Sequence, residues 1–554
     1  MKQQLIPIIV GVTGHRDIRH TDADTISVSL TKQFQRIKSC YPSSPIWLLT
    51  GLAEGADRVA ATAALEIGGI EIAMVLPLPE DDYIQDFSSH SSIQEYASLR
   101  DRATRVYPTF EDLKARERAD YYRRAGEFIA LNSQIVIAVW DGVVEQLTAS
   151  GTAEILKGGT ADVISMCRRG LRSNGTLALP EPTSIIHIMA LREQSSVQTV
   201  ASNSHSVGRV VTSTGRDIAA STRVNLSLAA IERFNKLAGA IDQQRLMPAL
   251  TSLLGPSKGT SLTATLYAAA DYLAAKMQRE RRNGIRVVSL SAGLSVLLHQ
   301  IYSGVSQLTP WLIAHLVVAL SAVGLFYFYF SGDRRRDARY LDFRALAEGL
   351  RVQFFWKSGG VDENVTDFYF SEDSDELEWL RHALRNVQLV SGNDLARQSL
   401  DDIRTRWLLD QMAYFKKNVG PNARKERFGK VASRVCIGAA VTLTVMTAAA
   451  QLLGSEELVL QRLMFGSGLM FLMSGAIKAY CGVMAFGELA RRYAIMARIF
   501  EIAGERLREA TGPNSQSTSG RHQEILLAAG KEALAENCTW LRSHRARDIE
   551  VNLN

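Results

Sequence analysis

Over residues 1–195 short, almost continuously apolar runs at 8–12, 46–50, 70–76, 135–140 and 185–189 alternate with stretches of helical spacing. A strand that is apolar at successive positions is buried on both faces, as in a parallel sheet covered by helices. The alternation predicts an α/β unit with a parallel sheet and helices on both faces. From 196 to about 221 the chain turns polar and Ser/Thr-rich, which reads as a linker. Helical spacing resumes over 224–278.

Four longer apolar runs follow, at 285–304, 310–330, 432–454 and 463–487. Each is about 20 residues, enough for roughly 30 Å of helix across a bilayer. They pair into two hairpins with short connections at 305–309 and 455–462. Basic clusters lie at the opposite ends: RERRNGIR at 279–286, DRRRDAR at 333–339 and KKNVGPNARKERFGK at 416–430. By the positive-inside rule both termini, the 333–430 segment and the α/β unit belong in the cytosol. An amphipathic helix beginning Arg-Tyr follows each hairpin, over 339–356 and 492–510, and another covers 522–545. The expected plan is therefore an α/β unit (1–195), linker and helices (196–280), a hairpin (281–332), a helical segment (333–430), a second hairpin (431–490) and terminal helices (491–554).

The chain has 554 residues and a net charge of +6, mild for its length, and its basic residues flank apolar runs instead of forming a stripe. That placement favours a lipid bilayer over nucleic acid as partner. The five cysteines have no ligand spacing and read as reduced. No metal motif, Walker A pattern or GxSxG is present, so no metal and no obligatory cofactor are expected. No charged n-region precedes an apolar core at the N-terminus, so no secretory signal is expected.

Candidate chemistry gathers where strands end in glycine. In GVTGHR, Gly11, Thr13 and Gly14 lead to His15 and Arg16. In TGLAEGAD, Thr50, Gly51, Glu54, Gly55 and Asp57 open a helix. VIAVWDG ends in Trp140 and Asp141, and KGGTADVI opens another helix with Gly158, Gly159 and Thr160. Glycine lets a phosphate approach the backbone, and a helix start offers free N–H groups. Ligands of such sheets bind at the carboxyl edge. Arg16 could pair with phosphate. Glu54 or Asp57 could accept ribose hydroxyls or cap the helix. His15 could donate a proton or simply bond within the turn, and Trp140 could stack on a base or fill the core. The cluster 121–124, YYRR, could reach a ligand or be a solvated helix face.

GVTGHRD, LLTGLAEGADRVAA, IAVWDG and GGTADVI, over roughly 5–192, resemble the SLOG domains, Rossmann-like modules related to the DprA and LOG proteins. FRALAEGLRVQFFW and EALAENCTWLRSHR resemble chains in which such a domain is fused to SLATT-like transmembrane hairpins. The resemblance implies a nucleotide-derived ligand and a membrane effector in bacterial conflict or antiphage defence. The LOG phosphoribohydrolases carry a PGGxGTxxE pattern. Here KGGTADVI lacks the proline and the matching glutamate, and GTAEIL at 151–156 has its glutamate one position early.

The leading expectation is a multi-pass protein of the bacterial inner membrane that binds a nucleotide-like small molecule and oligomerises to permeabilise the membrane. The alternatives are a membrane-anchored hydrolase of a nucleotide or of NAD, and a scaffold without a ligand. One intramembrane residue stands out. Lys478 shares a helix face with Gly468, Gly475 and Gly482. It lies about ten residues, or roughly 15 Å, from the cytosolic end of its run. Small residues mark close helix approach, so this face is expected to meet protein, with Lys478 lining a hydrated path or else snorkelling.

Overall fold

The computed structural model describes residues 5–110, 117–144, 146–147, 153–155, 157–171, 183–193, 207–214, 218–255, 261–304, 308–331, 334–369, 377–392, 398–511 and 520–550. The chain divides into two compact units. One comprises Met1–Ala270, Ala345–Phe354 and Asp362–Ala396, the other Asp271–Arg344, Phe355–Val361 and Arg397–Asn554.

The first unit is built on β1 (Ile8–Gly14), β2 (Ile46–Thr50), β3 (Ile70–Leu76), β4 (Arg105–Pro108), β5 (Ile135–Trp140), β8 (Ser184–Met189) and β9 (Val210–Thr214). A separate two-residue pair, β6 (Gln146–Leu147) with β7 (Ala153–Glu154), lies between β5 and β8 in sequence. The sheet order is β4-β3-β2-β1-β5-β8-β9. Strand pairs from β4 to β8 are parallel, and β9 runs antiparallel to β8, with Ile186 opposite Thr212. The chain winds outward from β1 to β4, then returns to the other side of β1 at β5. That reversal makes the β1/β5 junction a topological switch point.

All five expected strands are present, and the sheet is parallel except at its β9 edge. The sequence reading missed both edge strands. β4 is four residues long and only half-buried, so it carries no apolar run. β9 falls inside the Ser/Thr-rich stretch read as linker, where Val and Thr fit a strand as readily as a loop. Much of that stretch, 194–206 and 215–217, lies outside the described residues.

Helices α1 (Ala23–Cys40) and α2 (Ala56–Ile67) flank the sheet, α1 burying Ile26, Leu30, Phe34 and Ile37 at helical spacing. The short α3 (Glu80–Tyr83) and α4 (His90–Arg100) precede β4, α5 (Arg118–Asn132) precedes β5, and α6 (Thr160–Arg169) precedes β8. α7 (Ile218–Gly239) brings Asn235 to the start of β1. There its side chain accepts from Ile6 N–H at 2.9 Å and donates to Ile6 C=O at 2.8 Å. Helix Glu378–Ser391, far along the chain, does the same work at the same edge. Asn386 donates to the Pro7 carbonyl at 2.8 Å and exchanges hydrogen bonds with Gln134, which accepts from Ile9 N–H at 3.0 Å. Its residues 378–387 are all buried. Buried amides at the amino edge of the sheet thus satisfy backbone groups that would otherwise be costly. Helix Glu378–Ser391, read from sequence as part of a separate helical segment, joins the sheet unit because its side chains are buried there.

Four helices among the described residues are long and apolar enough to cross a membrane: Leu262–Tyr302, Thr309–Tyr329, Leu400–Leu452 and Glu457–Thr511. The last bends where Ala485 adopts φ 47°, between Glu457–Met484 and Phe486–Thr511. Within the first hairpin His315 Nδ1 lies 2.9 Å from the Ser295 carbonyl oxygen, and the His299 and His315 rings are 5.0 Å apart. Within the second, the Ser433 and Ser474 hydroxyls hydrogen bond at 2.8 Å. Beyond the apolar stretches the helices pack through aromatic side chains, Phe355 stacking on Trp407 with centroids 5.2 Å apart. Trp356 Nε1–H donates to the Leu526 carbonyl at 2.9 Å.

Candidate functional site at the carboxyl edge of the sheet

The turn after β1 is held from two sides. His15 N–H donates to the Val139 carbonyl at 3.0 Å, and the His15 carbonyl accepts from Ala56 N–H at 3.0 Å. Gly14 is needed because a Cβ there would lie 2.4 Å from Ala56 Cβ and 2.5 Å from the Val139 oxygen. Gly55 has φ +75°, and its Cβ would sit 2.4 Å from the Arg16 oxygen. These two glycines let the first and second strand-end loops interlock. Gly11 has a different cause: in mid-strand, it makes room for Ser133 and Ile129.

Arg16 is exposed at this junction, its guanidinium carbon 4.8 Å from the centre of the Tyr122 ring. The Tyr122 hydroxyl in turn hydrogen bonds to Asp86. A solvent-facing arginine on an aromatic platform is a preorganised anion contact. It also makes YYRR more than a solvated face, since Tyr122 supports Arg16.

Beside it, His15 is buried. Its Nε2 lies 3.1 Å from both Asp141 N and Asp141 Oδ1. Arg192, just past β8, brings its Nε to 3.4 Å from His15 Nε2 and 3.6 Å from Asp141 Oδ2. Burial alone would raise the Asp141 pKa. Hydrogen bonds to the His15 side chain and to Val143 N–H, with the nearby Arg192 charge, outweigh it and hold that pKa below the ordinary carboxylate value. This trio spans the ends of β1, β5 and β8, at the switch point. Sequence reasoning missed Arg192, although the signal that found Arg16, an arginine just past a strand, applies equally to it. Thr13 is buried next to the last residue of β1.

The second loop is built around a carboxylate. Asp57, in the first turn of α2, accepts from Gly51 N–H at 3.0 Å. It also takes hydrogen bonds from the Thr50 side chain and the Ala53 backbone. Burial, the largest influence, pushes its pKa up to about 6 in spite of those bonds and of Arg16. The Tyr83 hydroxyl donates to the Gly51 carbonyl at 3.0 Å. Leu52 carries φ 52°, a left-handed conformation that costs a non-glycine residue about 1–2 kcal/mol. Its carbonyl accepts from buried Arg58 at 3.1 Å. Such strain persists where surrounding structure over-determines it, and it clusters at functional sites.

Two expectations are corrected here. Glu54 does not await a ribose: it accepts from Ser88 N–H at 2.8 Å and the Ser88 hydroxyl at 2.7 Å, and also from Ser92, which secures the start of α4. Trp140 does not line the edge. It is 3% exposed within a cluster including Val136, Val163 and Ile185, and its carbonyl accepts from His187 Nε2 at 3.0 Å and from Ala190 N–H at 3.1 Å.

The third glycine turn repeats the second. Asp162 accepts from Gly158 N–H at 3.0 Å and lies 3.6 Å from Arg123. Gly158 (φ +75°) packs on α5, where a Cβ would lie 2.9 Å from the Ala119 oxygen. Gly159 caps α6 in an extended conformation, and Thr160 begins that helix. The Gly51 and Gly158 amides, expected to face a phosphate, therefore already serve carboxylates of their own helices. Asp162 stands in the GGTAD motif itself and could have been read as such a partner.

In the second unit the glycine face expected to meet protein is open within the chain. A Cβ on Gly475 or Gly482 meets nothing within 4 Å, and Lys478 is exposed; only Gly468 approaches another helix, with Gln300 3.9 Å away. Among the described residues no group of three or more His, Cys, Asp or Glu could hold a metal ion.

Sheet order, switch-point cluster and apolar helices define the class: a parallel-dominated Rossmann-like unit joined to an all-helical region with four candidate membrane spans. No family model matches the chain, and no curated protein matches it either.

Proposed function

We propose that the sheet unit is a sensor for a nucleotide-derived, anionic small molecule bound at the β1/β5 switch point. The observation that carries this reading is Arg16, exposed on Tyr122 at the edge where α/β sheets take their ligands. Arg16 meets the phosphate, and the His15–Asp141–Arg192 cluster frames the other flank, while Asp57 is spent on closing its own loop. The SLOG-like motifs support the same ligand class. The four apolar helices cross the bacterial inner membrane as two hairpins, with both termini in the cytosol on the strength of the basic clusters. Ligand binding changes the state of a homo-oligomeric transmembrane region and permeabilises the membrane, as expected of a defence effector of the SLOG and SLATT type.

The test is calorimetry of the full chain in detergent against ATP, GTP, NAD and related nucleotides, with chromatography of the mixture afterwards. Binding without turnover supports the sensor. Release of free base or ribose phosphate replaces it with the hydrolase, and no binding by any nucleotide overturns both.

A further inference from the structure

Lys478 takes on a different role once its helix is placed in register with its partner. Helices Asp410–Leu452 and Glu457–Met484 form an antiparallel hairpin whose level is fixed at two points. The Ser433 and Ser474 hydroxyls are 2.8 Å apart, and the Cβ position of Gly429 falls against Cys481 Sγ. Lys478 follows Ser474 by four residues, and so sits ~40° further round its helix and ~6 Å nearer the end at Met484. Lys430 precedes Ser433 by three residues, which is ~60° round and ~4.5 Å toward the same end. Arg434, the next residue after Ser433, is turned by ~100°.

Because the helices are antiparallel and both right-handed, these rotations all lead to one side of the hairpin. Lys430 and Arg434 from one helix and Lys478 from the other converge on a single groove. Gly475 and Gly482 lie on that same side, and a Cβ on either meets nothing within 4 Å. The three cations are exposed, Lys430 also reaching Glu426 at 2.9 Å. Lys478 is therefore level with the basic end of its neighbour instead of alone at depth. Seven residues away from that end on each helix, and so on the same face, stand Phe471 and Val441, each 49% exposed. The groove is basic and roomy at one end and apolar beyond it.

We infer that this groove binds the phosphate headgroup of an anionic phospholipid, whose acyl chains run past Val441 and Phe471. The inference rests on the reading that these helices cross a membrane. Paired basic side chains answer the headgroup's charge, the glycines give it access, and the apolar continuation distinguishes a lipid from free phosphate.

The experiment uses the full chain purified in detergent, its thermal unfolding followed as phosphatidylglycerol, phosphatidylcholine or inorganic phosphate is added. Phosphatidylglycerol should raise Tm, and the other two should not. The double variant Arg434→Gln/Lys478→Gln should need roughly thirtyfold more phosphatidylglycerol, from two charges at about 1 kcal/mol each. Gly475→Leu, which fills the groove and keeps both charges, should also weaken the response, whereas Arg36→Gln in the sheet unit should not. An unaltered response in the double variant and in Gly475→Leu overturns the groove, as does an equal effect of inorganic phosphate. Flotation with vesicles after a carbonate wash separates the two readings. A chain that floats but fails the lipid test sinks the groove alone, and one that does not float sinks the membrane reading with it.

Discussion

The Asp57 carboxylate accepts the backbone N–H of Gly51 at 3.0 Å, so that the first turn of α2 reaches back and closes the loop that leads into it. Asp162 and Gly158 repeat the arrangement at α6, also at 3.0 Å. In both loops an anion already occupies the glycine-turn amides, and the exposed cation of the site, Arg16, comes from a third loop.

Asp57 gives a pH dependence of definite sign. Its pKa is raised from 3.8 to about 6 by burial, so the folded chain holds this proton more tightly than the unfolded one. Its contribution favours folding below pH 4 and is lost as pH rises through about 6. In Asp57→Asn that loss disappears. Thermal unfolding of both forms from pH 4 to 7.5 should show the Tm difference, variant minus parent, growing with pH. A constant difference would refute the assignment.

Asp141 acts in the opposite sense and at lower pH. Its pKa lies below 3.8 because hydrogen bonds and the Arg192 charge outweigh burial. The stability it supplies is present above pH 4 and lost as pH falls through its depressed value. Asp141→Asn should lower Tm at pH 6, and the gap to the parent should shrink as pH falls below 3.8.

Arg16→Ala tests the anion contact at an exposed position, and removes with it only the packing on Tyr122. Loss of one charge-assisted contact, about 1.5–3 kcal/mol, corresponds to roughly ten- to hundredfold weaker binding. Calorimetry with the best nucleotide should show that loss while Tm without ligand stays put. Undiminished affinity would move the pocket elsewhere.

The glycines should divide by backbone geometry. Gly55→Ala places a Cβ against the Arg16 and His15 carbonyls at positive φ, and should cost more than about 2 kcal/mol. Gly159→Asp should be tolerated or stabilising, because φ −85°, ψ 172° at a helix N-cap suits aspartate. Nucleotide affinity of the stable Gly159→Asp form then reports whether a phosphate comes near α6: a sharp drop says that it does. Equal loss of stability in the two variants would contradict this division.

Topology is open to cysteine labelling in spheroplasts. Cysteines introduced at Leu308 and Ser455, between the helices of each hairpin, should react with an impermeant maleimide from outside. One at Arg424 should react only after lysis. Labelling of the Arg424 position in intact spheroplasts would reverse the orientation.

Local pattern determined the strands from β1 to β3, β5 and β8, because strands covered on both faces are apolar at nearly every position. It also determined the four long apolar helices, because about 20 apolar residues in a row is the pattern of a helix able to cross a bilayer. Arg16, His15 and Asp141 were legible as strand-end residues for the same local reason. What remained was decided by contacts between distant residues, which no local pattern encodes. Arg192 joined His15 across 177 positions, and Asn386 closed the sheet from 252 positions beyond Gln134. Glu54 was claimed by Ser88, Trp140 was drawn into the core, and Lys478 acquired its groove only when Ser433 met Ser474. Sequence fixes which groups a chain can offer; which of them stay available depends on where folding leaves the others, because a buried polar group must find a partner wherever the fold supplies one.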